Sequence, residues 1–178
     1  MKNFYTFVLF SLVGVSALAQ SNGLYGEVAY GSITLKDTSS YNLGTWKPSV
    51  ARFTLGKVVT DNIAVEGFVV QGLAKSSVTY SNVNIELEVK TSYGLALRPF
   101  YKVNEDFEVF GRVGKYVNKA DVTASSTTNS NTYYHTLYSI GTAYKINNSF
   151  DATLDYTKLS NKGDANASLI GVGLRYNF

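Results

Sequence analysis

The amino-acid sequence predicts an all-β chain: an eight-stranded antiparallel up-and-down transmembrane β-barrel. Three observations predict it. Beyond residue 20, apolar residues recur with a period of two and not 3.6, the repeat of strands that sort their side chains onto two faces. The connections between these segments alternate long and short, as in barrels with tight turns at one end and long loops at the other. Aromatic residues reach 14%, with 14 Tyr and 10 Phe, while charged residues are only 16%, below the usual quarter.

The N-terminal segment reads as an export signal. Met1-Lys2-Asn3 is a short positive start, and Phe4 to Val15 is an apolar run too short to cross a bilayer as a helix. Ala17-Leu18-Ala19 has the small-x-small pattern of a signal peptidase site. Cleavage after Ala19 is expected, dividing the chain into a signal peptide (1–19) and a barrel domain (20–178).

The strands are expected at 24–35, 49–59, 63–74, 84–102, 107–117, 133–146, 150–158 and 167–178. The first leads into a long loop, Lys36 to Pro48, whose Trp46 is expected to anchor at the membrane interface. Pro48 is tolerable because it only precedes the second strand. Thr60-Asp61-Asn62 turns the chain into the third strand, and Lys75 to Val83 forms the next loop. In the fourth strand, Ile85, Leu87, Val89, Thr91, Tyr93, Leu95 and Leu97 share one face against Glu86, Glu88, Lys90, Ser92, Gly94 and Ala96. Pro99 fits that strand less well. Asn104-Glu105-Asp106 turns into the fifth strand, and the Ser/Thr/Asn-rich Asn118 to Thr132 is expected to be a mobile loop. The sixth sets Tyr138, Ile140, Thr142, Tyr144 and Ile146 against Ser139, Gly141, Ala143 and Lys145. After the turn Asn147-Asn148-Ser149 comes the seventh strand, and Leu159 to Asn166 is the last loop. The eighth alternates Ile170, Val172, Leu174, Tyr176 and Phe178 with Gly171, Gly173, Arg175 and Asn177. Eight crossings at about ten residues each need about 80 residues, which leaves enough chain for three turns and four loops.

A soluble barrel would have the same period with its apolar face inward. Three features favour the membrane. Glycines on the polar face (Gly56, Gly94, Gly114, Gly141, Gly171, Gly173) suit a crowded lumen. Tyr93, Phe107, Tyr144, Phe150, Tyr156, Tyr176 and Phe178 lie near strand ends, where aromatic girdles belong. The apolar alternation also runs on from Ile170 to Phe178.

The stretch Ile170-Gly171-Val172-Gly173-Leu174-Arg175-Tyr176-Asn177-Phe178 resembles the C-terminal signal of outer-membrane proteins. The hairpins around Asp61-Asn62 (Leu55-Gly56-Lys57 to Val65-Glu66-Gly67) and from Leu97-Arg98-Pro99 to Glu108-Val109-Phe110-Gly111-Arg112 resemble those of eight-stranded OmpA-like and opacity-type, porin-family surface proteins. The resemblance implies the bacterial outer membrane, with lipid and lipopolysaccharide around the barrel. It also implies recognition of Leu174, Tyr176 and Phe178 by the barrel-assembly machinery, with periplasmic chaperones on the way.

With polar faces inward, the lumen receives Arg52, Lys90, Arg98, Arg112, Lys145 and Arg175 against Glu27, Glu66, Glu86, Glu88, Glu108, Asp151 and Asp155. Such charges must pair, since an isolated buried charge is far costlier than a paired one. The expected network comprises Arg52, Glu66, Arg98, Glu108, Arg112, Lys145, Asp155 and Arg175, forming a plug. Glu86, Glu88, Lys90 and Asp151 are expected at the water-facing rims.

The chain has no cysteine and one histidine, His135, which excludes thiolate and two-histidine metal sites. No cofactor is expected, and a formal charge of +3 does not suggest nucleic-acid binding. His135 and Ser139 share a strand face but would lie about 13 Å apart, too far for a nucleophile and its base. The expected function is therefore a non-catalytic, monomeric barrel with a structural and surface-interaction role, in envelope integrity, adhesion or as an antigen. A small porin-like channel is the alternative, and a lipid A-modifying enzyme ranks behind it.

Overall fold

A computed structural model describes residues 23–38, 43–124, 127–159 and 165–178. The expected signal peptide, with Ala17 and Ala19, lies outside the described residues. The strands are β1 (Leu24–Asp37), β2 (Thr45–Trp46), β3 (Ser49–Thr60), β4 (Ile63–Ala74), β5 (Ser76–Tyr80), β6 (Val83–Val89), β7 (Ser92–Lys102), β8 (Phe107–Ala124), β9 (Thr127–Lys145), β10 (Phe150–Leu159) and β11 (Ala165–Asn177).

Eight of these form the wall. β1, β3, β4, β7, β8, β9, β10 and β11 pair antiparallel in sequence order, and β11 returns to β1 over the ladder from Tyr25↔Asn177 to Asp37↔Ala165. The closed ring leaves no sheet edge in the membrane, so backbone N–H and C=O groups find partners where lipid offers none. The start of β1, the end of β11 and the turns after β3, β7 and β9 share one end of the barrel. In barrels of this kind, tight turns face the periplasm and longer loops face outward.

The apolar faces of the wall point outward. Leu95 is 67% exposed, Ile140 70% and Ile170 57%, whereas Glu66 is fully buried and Arg98 1% exposed. The expected periplasmic girdle is visible in the ladder: Phe107 lies opposite Tyr144, and Phe150 opposite Tyr176. The Tyr176 ring packs against Phe150 and Phe178 at 5.0 and 4.9 Å. Ten residues up β9 on the same face is Tyr134, also exposed. At about 3.3 Å per residue and a tilt near 40°, that places it about 25 Å above Tyr144, one hydrocarbon thickness.

The fold departs from the sequence reading in four places. The run Ile85–Leu97 does not present a single face. Val89 pairs with Ala120 and Tyr93 with Val117, so Lys90, Thr91 and Ser92 stand opposite only Asn118 and Lys119. This bulge reverses the phase: Leu87 and Val89 point inward, whereas Tyr93, Leu95 and Leu97 point outward. Lys90 N donates to Lys119 O at 2.8 Å, and Lys119 N donates to the Ser92 hydroxyl at 3.3 Å, which satisfies the backbone around the extra residue. Gly72 accommodates the bend, since a Cβ there would lie 1.9 Å from Val89 O.

The stretch 118–132 is not a loop but the outer half of a hairpin, paired from Asn118↔Tyr133 to Ala124↔Thr127. Val122 and the threonines Thr123, Thr127, Thr128 and Thr132 fit a strand, and the low apolar content marks a hairpin wetted on its surface. The stretch 75–83 holds the first arm and the turn of a second hairpin, β5–β6, turned by Ser81 and Asn82 at φ 47° and 64°. Both central residues in the left-handed region is the type I′ arrangement that matches strand twist.

The lumen is not polar throughout. Toward the long-loop end, inward positions become apolar and form a core that includes Ile33, Val50, Phe68, Val89, Leu137 and Leu159. Pro99 lies in β7 facing outward, and the β7–β8 ladder skips Arg98 and Pro99 before resuming at Phe100↔Phe110.

Candidate functional site

The lower lumen holds one connected ionic cluster. Inward positions on β1, β3, β4, β7, β8, β10 and β11 supply Glu27, Arg52, Glu66, Arg98, Glu108, Arg112, Asp151, Asp155 and Arg175, all buried. Alternation brings them inside, and closure of the sheet brings strands distant in sequence across from one another.

Arg112 is the hub. Its Nε donates to Glu66 Oε2 at 2.5 Å, its Nη2 to Glu27 Oε2 at 3.1 Å, and its Nη1 lies 3.3 Å from Asp155 Oδ1. Arg52 holds the same two strands from the other side: Nη2 donates to Glu27 Oε1 at 2.8 Å, and both terminal nitrogens donate to the Asp155 carboxylate. Below them, Arg98 Nη2 donates to Glu108 Oε1 at 2.6 Å, while its Nε lies 3.4 Å from Glu66 Oε1. Arg175 bridges Glu108 at 3.0 Å and Asp151 at 2.8 Å. Four guanidinium groups thus alternate with five carboxylates in a chain that crosses the lumen. The Phe110 ring sits beneath the Arg98 and Arg112 guanidinium carbons at 4.0 and 4.5 Å, so the charges are packed on an aromatic face as well as paired.

The expected network residues fall in different places. Arg52, Glu66, Arg98, Glu108, Arg112, Asp155 and Arg175 are brought together. Lys145 is not part of the cluster: it is half-buried, lines a vestibule at the short-turn end, and makes no ion pair within 4.0 Å among the described residues. Asp151, expected at a rim, is instead buried and accepts from Arg175 and from Asn177 Nδ2. Glu86, Glu88 and Lys90 lie outside the lumen on the β6 side, where Lys75 pairs with Glu86 and Lys90 with Glu88 and Asp121.

Tyr25 is a member that the sequence reading missed. Its hydroxyl donates to Glu66 Oε1 at 2.7 Å. Gly56, its cross-strand partner, makes room for the ring: a Cβ there would lie 2.2 Å from Tyr25 Cζ. An aromatic opposite a glycine on an inward face was the available signal.

Trp46 is not an interface anchor. It is buried against Leu87 and Ala120, and its Nε1 donates to Ile85 O at 3.1 Å. The ring faces protein because β2 folds over β1 and meets the β5–β6 hairpin, leaving none of it for the headgroups. Ser139 and His135 do not meet: Thr157 Oγ1 donates to Ser139 at 3.0 Å, whereas His135 stands between the rings of Tyr133 and Tyr116 at 6.1 and 6.4 Å. Leu174 and Tyr176 sit on the outer face of β11, and Phe178, just beyond the strand, meets the Tyr176 ring edge-on at the short-turn end. No group of three or more His, Cys, Asp or Glu residues able to hold a metal occurs among the described residues.

The family of outer membrane protein β-barrel domains matches residues 5–178. The chain belongs to that family. Its location is accordingly the bacterial outer membrane. No curated protein matches the sequence. Among solved structures, it is similar to Ail, the attachment invasion locus protein of Yersinia pestis, at 16% identity and TM-score 0.64 over 89% of this chain and 100% of that one. Neisserial surface protein A is similar at 15% identity and TM-score 0.66 over 88% and 98%. OprG from Pseudomonas aeruginosa is similar at 11% identity and TM-score 0.55 over 89% and 99%. At these identities the likeness is one of fold.

Proposed function

We propose that this outer-membrane barrel is a non-catalytic surface-interaction protein that supports the envelope and displays its β8–β9 hairpin outside the cell as an adhesive or antigenic element. The hairpin carries this reading. β8 and β9 run 18 and 19 residues, whereas a tilted crossing needs about 9–11. About eight residues of each strand, or about 25 Å along the strand, therefore rise beyond the membrane. Within the described residues the β10 ladder stops at Leu137, above which β9 pairs only with β8 and exposes Tyr133 and Tyr134. Ail, named for attachment and invasion, has also been solved with the heparin analogue sucrose octasulfate, which supports a surface-binding role for a barrel of this shape.

Replacing 119–132 with a two-residue turn tests the proposal. The barrel should remain heat-modifiable while adhesion, or reaction with antibodies raised on intact cells, is lost. Unchanged adhesion and antibody binding would overturn it. The reading includes export with cleavage after Ala19, assembly through Leu174, Tyr176 and Phe178 by the barrel-assembly machinery with periplasmic chaperones, contact with lipopolysaccharide, and a monomeric state.

A porin-like channel is the second reading, favoured by a vestibule of about 630 Å³ at the short-turn end, lined by Lys102, Glu108, Lys145 and Arg175 among others. The ionic cluster closes its inner end. Planar-bilayer recordings of the refolded protein are expected to show no large stable conductance, and an ohmic one would favour the channel. Among the described residues His135 and Ser139 do not meet, and no nucleophile and base assembled there support a lipid A-modifying activity.

A further inference from the structure

Polar side chains were expected to face the lumen, yet its outer mouth holds a cavity of about 170 Å³ walled by Leu35, Leu87, Val89, Val122, Leu159 and Ala167. Polar side chains lie along one side, that of β8 and β9: Tyr116, Asn118, Tyr133 and His135. Beneath it a narrow apolar space, about 30 Å³, leads down past Phe68 and Leu137 to Arg52 and Arg112, where the ionic cluster closes the lumen. The cavity is thus a cup and not a section of a pore.

We propose that this cup is a binding site for one small neutral molecule of about the size of an aromatic ring. Size sets the upper limit, since an apolar protein cavity of about 150 Å³ holds benzene. Chemistry sets the rest. Away from the β8–β9 side the walls are hydrocarbon, so a water seated against Leu87, Val89 and Leu159 would lack the two to four partners it needs. A charged ligand would surrender hydration to hydrocarbon walls without a counter-ion at hand. The rings of Tyr116, His135 and Tyr133 form a tier along one side, with centroids 6.4 and 6.1 Å apart, suited to flank a planar guest. The walls are rigid: Val89 and Ala120 are ladder partners, as are Leu35 and Ala167, and Leu159 and Leu137.

The chain provides its own reporter. Trp46, its single tryptophan, packs on Leu87 and Ala120 and against Leu35 and Val122, which also line the cup. Bromobenzene, titrated into the full barrel in nanodiscs, should quench Trp46 saturably through its heavy atom. Ala167→Leu, which fills the cup, should abolish the saturable phase and leave only the linear quenching by probe dissolved in lipid. 4-Bromobenzoate should give no saturable phase in either protein. Should Ala167→Leu fail to fold, methyl spectra of the unmodified protein decide. Val89 and Leu159 methyls should shift and saturate with bromobenzene while the lipid-facing Leu95 and Ile170 drift linearly. Linear quenching alike in both proteins, or methyl shifts confined to the lipid-facing residues, would overturn the proposal.

Discussion

Arg112 offers the sharpest perturbation of the barrel interior. Arg112→Met keeps much of the side-chain volume and removes the charge. Glu27, Glu66 and Asp155 all lie against this guanidinium, so the variant leaves five carboxylates sharing three arginines. Glu66 keeps only the 3.4 Å approach of Arg98 and the Tyr25 hydroxyl. Removing one partner from a buried ionic set costs about 3–5 kcal/mol, most of it from the charge left behind. With a urea slope of about 2 kcal/mol per M, the unfolding midpoint should fall by about 2 M with little change in slope. Trp46 fluorescence and the heat-modifiable gel band both read that midpoint. Pairing the change with Glu66→Gln should recover about 1–3 kcal/mol relative to the sum of the two single losses, because the second substitution removes the stranded charge. A single-variant cost below about 1 kcal/mol, or strict additivity, would refute the claim that Arg112 holds these carboxylates in place.

Three further outcomes are expected. Gly56→Ala should destabilise the barrel by about 1–3 kcal/mol, because the added Cβ presses on the Tyr25 ring and on its hydroxyl alike; equal urea midpoints for wild type and Gly56→Ala would contradict this. On the hairpin, the Ser130 hydroxyl donates to Asp121 at 2.6 Å and, with Lys90 adding to it, holds that carboxyl below its ordinary value of 3.8. The hydrogen bond's contribution is therefore present above the unfolded value and lost as pH falls through the folded one. Carboxyl-carbon NMR should show Asp121 titrating below 3.8 and moving up in Ser130→Ala. Asn82→Gly should stabilise the β5–β6 tip by relieving a left-handed residue, read as slower amide exchange of Val78 and Ile85.

Much of the wall was legible because lipid imposes a strict rule: every second residue must be apolar. Ile170, Val172 and Leu174, or Leu95 and Leu97, obey it, and their alternation fixed strand and face together. The same rule placed Arg52, Arg98, Arg112 and Arg175 inside. Outside the bilayer that rule lapses. Beyond Asn118 the hairpin is wetted on its exposed surface, so its strands carry Ser, Thr and Asn and read as loop. Toward the outer mouth the inward positions turn apolar, as in a soluble core, and Ile33, Leu87 and Val89 gave no hint of the change. Sequence also hides the bulge at Lys90–Thr91, since both phases of β6–β7 alternate equally well and only the β8 partner reveals the extra residue. Trp46 was misplaced for a related reason: interface preference is a property of a ring with no better partner, and Ile85 O is a better partner.

The orientation of the wall is the claim on which every other one depends, and spin-label accessibility tests it most directly. The chain lacks cysteine, so single cysteines can be placed without background at Leu95, Ile140 and Ile170 on one face and at Thr54 and Thr153 on the other. In bilayers, labels at the first three positions should collide freely with oxygen and poorly with a water-soluble nickel chelate, while the inward pair should be shielded from both. Nickel access at Leu95, Ile140 and Ile170, with oxygen access at Thr54 and Thr153, would contradict the account.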